Sequence, residues 1–176
     1  MLDTSTASKK AANKTTANTA TTHAKLSAQI DAINLLIKEH AEVKAKFEAY
    51  EKLGDRATAS KKKLVGEICQ ALTAHMIAEE EIFYPAAAKI NGKEHDQVDE
   101  AIVEHAGAKH LIEQLLAMEP GDDLYDAKVK VLSEQIEHHV KEEEEEMFPR
   151  VRKAKLDLEA MGSEIESREE EVKAAA

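Results

Sequence analysis

The chain has 176 residues and a formal net charge of −11; it is rich in Ala, Glu, Lys and Leu, with six Gly, three Pro and 3% aromatic residues. That composition favours an all-helical protein, and the negative balance makes nucleic acid a poor partner for the body of the molecule. A single cysteine, Cys69, excludes an intrachain disulfide and a thiolate metal cluster, which suits a reducing, cytoplasmic setting, and no run approaches the length of a membrane span.

Residues 1–25 carry four Lys, one Asp and almost no large apolar side chain. Such a segment cannot bury enough surface to offset its ordering entropy, so a disordered basic arm is expected there. The first helix follows over about 27–53, where Ile30, Ile33, Leu36, Ile37, Val43, Phe47 and Tyr50 recur at three- and four-residue intervals. The stretch "LGDRAT" ends it, and a second helix runs from about Asp55 or Thr58 to Ile90. A third spans about 95–118 and stops at "EPGDD"; a fourth begins near Asp122 and continues past Met147. Leu158, Met161 and Ile165 mark a short fifth helix over about 157–173, packed on the bundle end.

Long helices with short connections predict an up-down-up-down four-helix bundle over 26–155, with a C-terminal helix and tail over 156–176. Pro85 and Pro149 fall inside the second and fourth patterns. Each is expected to kink its helix and free the carbonyl four residues earlier, at Glu81 and Glu145.

The second and fourth helices also share a motif. "HMIAEEEIFYP" from His75 is matched by "HVKEEEEEMFP" from His139, and "KEHAEVK" from Lys38 by "VEHAGAK" from Val103. Each half thus offers one lone His, at 40 or 105, and one His-x-x-x-Glu, at 75 and 79 or at 139 and 143. The i, i+4 spacing puts each His and Glu on one helix face. Apolar neighbours in register place that face in the core: Leu72, Met76 and Phe83 in one half, Ile136, Val140 and Met147 in the other. His40 falls among Ile33, Leu36, Val43 and Phe47, and His105 among Val98, Ile102, Ala108 and Ile112. Buried imidazoles and carboxylates need partners, and a cation satisfies all six. Four histidines and two bridging glutamates give four protein bonds to each of two ions, leaving room for a bridging oxygen and a guest. Imidazole with carboxylate and no thiolate suits iron, manganese or zinc, and open positions on paired ions point to iron.

Other residues read more plainly. The run Glu142–Glu146 is a solvated face apart from Glu143. Glu146 is expected to be exposed, although its counterpart Ile82 belongs in the core. Tyr50 reads as a core tyrosine at the bundle end, and Cys69 as packing. Lys44 and Lys109 are candidates to pair with carboxylates around the site. His23, His95, His110 and His138 miss the core stripes and are excluded as ligands.

The set His40, His75, Glu79, His105, His139 and Glu143, with "EEEIFYP" and "EEEMFP" following, resembles the hemerythrin-like HHE cation-binding domain over about residues 27–155. The resemblance implies a non-haem centre of two iron ions, oxo- or hydroxo-bridged, with carboxylate bridges. Where oxygen carriers of that family have a second histidine on the third helix, this chain has Lys109. Where they have an aspartate five residues after the fourth-helix histidine, it has Glu143 at four and Glu144 at five. Four His and two Glu are more similar to members that handle nitric oxide, peroxide or iron–sulfur repair. The implied ligand is O2, NO or peroxide, with a role in oxidative or nitrosative stress or iron handling. The alternatives are an iron-binding sensor, store or donor without turnover, and a metal-free or zinc structural bundle acting through its acidic surface. Ferritin-type oxidation fits less well, since none of the eight histidines has Glu three residues before it.

Overall fold

The structure is a computed structural model and describes residues 30–90 and 94–175; the expected N-terminal arm, with His23, lies outside the described residues. Helix α1 (Ala32–Glu51) opens with the Asp31 carboxylate accepting from the Asn34 N–H, which satisfies one of the free donors of the first turn. It is followed by α2 (Thr58–Ala78), the short α3 (Tyr84–Ala87), α4 (Glu94–Leu116), α5 (Tyr125–Glu142), the short α6 (Phe148–Val151) and α7 (Leu158–Ala175). No strand occurs among the described residues. Helices α1, α2, α4 and α5 form the up-down-up-down bundle, each packed on its neighbours.

A π turn precedes each proline, which the sequence pattern does not foretell. Between α2 and α3, residues Glu79–Phe83 form a π turn closed by the Tyr84 N–H on the Glu79 carbonyl. Glu143–Met147 repeat it, closed by the Phe148 N–H on the Glu143 carbonyl. Pro85 and Pro149 then stand in the first turn of α3 and α6, where a missing N–H costs little. The helix widens ahead of each proline, starting at the two glutamates that the motif singles out.

The core is divided into two apolar clusters. One holds Val43, Phe47, Ile68, Leu72, Met76, Ile112 and Leu132. The other holds Ile33, Leu36, Phe83, Tyr84, Val98, Phe148 and Ile165. Ile102, expected on the core stripe of α4, is instead 44% exposed. Cys69 is buried in the first cluster as a free thiol, its pKa pushed up to about 11 by that burial, which suits packing better than redox sensing.

At the end of the first cluster the Tyr50 hydroxyl donates to Asp126, and the buried Lys61 ammonium donates to both Asp126 oxygens at 2.8 and 2.9 Å. These donors, Lys61 first, hold the Asp126 carboxyl below its ordinary value. Its contribution is therefore complete above the unfolded-state value of about 3.9 and fades as pH falls through the folded-state value. Asp126→Ala should cost about 1–2 kcal/mol at pH 7, since it strands Lys61. Urea titrations should show that difference shrinking in acid.

Helix α7 is not a cap on the bundle end. It lies along α1, α2 and the first π turn, with Arg168 donating to Glu81 at 2.6 and 3.1 Å and Ile165 fully buried. The approach is close because Gly162 faces the backbone at the start of α1. A Cβ there would lie 2.5 Å from the Ile30 carbonyl oxygen.

Candidate metal centre

Between the two apolar clusters lies a layer of buried polar side chains. His40 comes from α1, His75 from α2, Glu79 from the first π turn, His105 from α4, His139 from α5 and Glu143 from the second π turn; none is more than 6% exposed. All six predicted site residues are thus brought together. One potential ligand atom from each of His40, His75, Glu79 and Glu143 lies within 4.8 Å of the others, and the same holds for Glu79, His105 and His139.

The outer nitrogen of every imidazole meets a carboxylate. His40 Nδ1 lies 2.9 Å from Glu144, His75 Nδ1 2.9 Å from Glu39, His105 Nδ1 3.0 Å from Glu80, and His139 Nδ1 2.8 Å from Glu104. An ionised carboxylate only accepts, so each contact holds a hydrogen on Nδ1 and turns Nε2 inward. Those nitrogens converge in twos: the Nε2 atoms of His40 and His75 are 3.1 Å apart, and so are those of His105 and His139. Two nitrogens bound at about 2.1 Å to one ion, at right angles, would be about 3.0 Å apart.

The glutamates run between the halves. Glu79 Oε2 is 3.2 Å from His75 Nε2 and 3.5 Å from His105 Nε2. Glu143 Oε2 is 3.4 Å from His40 Nε2 and 3.5 Å from His139 Nε2. Glu79 Oε1 and Glu143 Oε2 are buried and make no hydrogen bond. Without a cation such groups carry a large desolvation cost, so the donor set fits a pair of ions. Burial, then the neighbouring His40, lowers the His75 pKa to about 3; burial, then His139, lowers that of His105 to about 2. Both imidazoles are therefore neutral, the form that binds a metal. Burial and the facing Glu143 raise Glu79 well above the carboxylate range. For Glu143, burial is outweighed by His139 and His40, and its pKa falls to about 2.

Tyr84 enters the site from α3, a position that sequence periodicity misses. Its hydroxyl donates to Glu143 Oε1 at 2.9 Å and lies 3.2 Å from His105 Nε2 and 3.4 Å from His139 Nε2. Burial, then Glu143 and Glu79, keeps the phenol protonated. On an uninterrupted α-helix, nine residues from His75 turn through about 900°, to the far side; the π turn takes back roughly a quarter turn and aims Tyr84 inward. Its counterpart in the repeat is Phe148, which stacks on His40 with centroids 5.8 Å apart and carries no hydroxyl. The two halves are therefore unequal. Tyr84→Phe should leave the fold intact, cost about 1 kcal/mol, and weaken metal binding about 10- to 100-fold. Calorimetric titration of the apoprotein with Co²⁺ checks this; identical isotherms would reduce Tyr84 to packing.

The four outer carboxylates, Glu39, Glu80, Glu104 and Glu144, do not stand out in the sequence, although the repeat places them in matched pairs next to the site residues. Glu144 is thus a second exception to the solvated reading of Glu142–Glu146. Lys109 supports Glu80 at 2.6 and 2.7 Å, whereas Lys44 only faces the exposed Glu137 at 3.8 Å. Helix α7 adds Glu169, 4% exposed, with Oε1 4.0 Å from His75 Nδ1 and Oε2 accepting from Lys173 at 2.6 Å. Tyr50 is committed to Asp126, away from the site. Glu146 is exposed and accepts from Gln97 at 2.9 Å. His110 and His138 are exposed, and the side chain of His95 is outside the described residues.

Comparison with known proteins agrees with this geometry. A protein from Mycobacterium kansasii, described as a hemerythrin HHE cation-binding domain-containing protein and Rv2633c homologue, has a crystal structure that superimposes with a TM-score of 0.69 at 21% identity, covering 83% of this chain and 89% of that one. At that identity the likeness is one of fold. A DNA nickase of Nostoc sp. (strain PCC 7120 / SAG 25.82 / UTEX 2576) is 34% identical over 87 residues, or 49% of this chain; the chain spans 24% of that protein's length. The family model of the hemerythrin HHE cation-binding domain matches residues 31–151, from the cap of α1 to the end of α6. With that match over most of its length, the chain belongs to the hemerythrin HHE cation-binding family.

Proposed function

We propose that this chain is a non-haem di-iron protein that binds or reacts with O2, NO or peroxide, in oxidative or nitrosative stress or in iron handling in the cytoplasm. His40 and His75 would hold one ion, His105 and His139 the other, and Glu79 and Glu143 would bridge them. The observation that carries this reading is the pairing of inward-facing Nε2 atoms at 3.1 Å in both halves, each imidazole fixed from behind by a carboxylate. Two redox-active ions with open positions would supply electrons and a binding place for a small guest. The chain's own residues set the conditions. The apolar clusters limit water, the outer carboxylates strengthen the imidazoles as donors, and the Tyr84 hydroxyl donates its proton to Glu143 across 2.9 Å.

No helix among the described residues is long and apolar enough to cross a membrane. The arm over 1–25, the bundle over 26–155 and the C-terminal helix over 156–176 form the proposed organisation. The test is metal content per chain with the absorption spectrum of the same aerobically purified sample. Two irons and an iron-dependent near-ultraviolet and visible spectrum that responds to peroxide, NO or removal of O2 are expected. Zinc alone, or no metal after anaerobic iron reconstitution, would remove the redox reading. Two irons inert to all three molecules would favour a store, sensor or donor.

A further inference from the structure

The pseudo-two-fold of the site is broken at the surface. On the α1–α2 side, α7 lies over the bundle, and Ala74 and Ala78 beneath that side are fully buried. Their counterparts on the α4–α5 side are His138 and Glu142, which no additional helix covers among the described residues. A cavity of about 320 Å³ opens there between α4 and the α5 end, with His139 and Glu143 among its lining residues. Its other carboxylates are Asp96, Glu100, Glu104, Glu142 and Glu146. Glu146 is drawn toward Arg150 at 3.6 Å, which leaves the remaining four to set the sign of the potential.

At the rim, His138 Nε2 is 3.7 Å from Glu104 Oε1 and 3.4 Å from Glu142 Oε1, and one ligand atom of each residue lies within 4.8 Å of the others. Glu104 joins rim to interior, since its second oxygen holds His139 Nδ1 at 2.8 Å. The cavity also reaches the buried centre: Glu143, 1% exposed and the bearer of an oxygen that makes no hydrogen bond, is among its lining residues together with His139. One imidazole and two carboxylates suit a first-row divalent cation, and an acidic wall concentrates cations while repelling anions.

We propose that this cavity is the loading route for divalent metal ions, with Glu104, His138 and Glu142 as a holding site from which an ion passes to His139 and Glu143. The inference rests on the metal centre proposed above. It also accounts for Glu146 standing where the repeat has Ile82: α7 covers the α1–α2 flank, and the α4–α5 flank is the open mouth.

The experiment is stopped-flow uptake of Co²⁺ by the metal-stripped full chain, followed by cobalt absorbance. The rim variant His138→Ala/Glu142→Gln/Glu100→Gln is compared with Glu48→Gln/Glu137→Gln, which neutralises two carboxylates on the separate α1–α5 groove that reaches His40. Wild type and rim variant should both fill the centre in the end, the rim variant roughly tenfold more slowly and with weaker dependence on ionic strength. The groove variant should load within about twofold of wild type, since distant charges are screened. A rim variant that loads at the wild-type rate, or a groove variant slowed as much, overturns the route while leaving the centre in place. A wild-type chain that takes up no Co²⁺ would overturn the metal centre itself, and the route with it.

Discussion

Replacing His75 or Glu143 with alanine is expected to reduce bound metal from the proposed two ions per chain to well under one. The two changes remove different things. His75→Ala takes away one of the two nitrogens aimed at a single point and leaves Glu39 without its imidazole. Glu143→Ala takes away the oxygen that lies within 3.5 Å of a histidine of each half, together with the Tyr84 acceptor. Loss of metal should also appear as loss of stability. A ligand that binds only the folded state adds about 4 kcal/mol at a thousand times its dissociation constant, so stripping the wild type with chelator should lower its melting temperature clearly. The alanine variants should melt near the stripped wild type and respond little to chelator. Elemental analysis and melting curves with and without chelator decide this. Retention of two irons by either variant would contradict the assignment.

The four bundle helices and the six central residues are legible from sequence because both depend on periodicity within one helix. Apolar residues at three- and four-residue spacing mark the buried face, and His-x-x-x-Glu on that face marks the site. What escapes depends on contacts between helices or on a change of helical pitch. Glu39 lies beside His40 in sequence yet serves His75 on the next helix, and Glu104 beside His105 serves His139. A count along one helix assigns such residues to its flank. Tyr84 is hidden by the π turn, since the register of an α-helix carries it away from the site. Ile102 fails in the opposite sense, because an apolar residue next to the stripe need not be covered where, among the described residues, no additional helix lies over α4. The placement of α7 is illegible for a related reason. Its length and apolar spacing are local, but its docking depends on one glycine meeting the backbone of another helix.

That glycine gives the second large effect, and its sign is diagnostic. In a helix interior, Gly→Ala ordinarily stabilises by about 1 kcal/mol, because alanine loses less backbone entropy. At Gly66 in α2 an added Cβ would meet nothing within 4 Å, and Gly66→Ala should follow that rule. Gly162→Ala should reverse it. The added methyl would lie 2.5 Å from the Ile30 carbonyl oxygen, 2.9 Å from the Ala32 nitrogen and 3.0 Å from the Asp31 carbonyl carbon. These are backbone atoms at the capped start of α1 and cannot rotate away, so α7 must shift. Overpacking of this kind costs about 1–3 kcal/mol beyond the propensity gain. The shift also moves Glu169 relative to His75, so metal affinity should fall in a variant altered far from the donor atoms. Urea titrations of the two alanine variants, with Co²⁺ isotherms for Gly162→Ala, separate the contributions. A Gly162→Ala protein as stable as the Gly66→Ala protein would mean that α7 is not held against α1 in this way, and the α1–α2 flank would lose its cover.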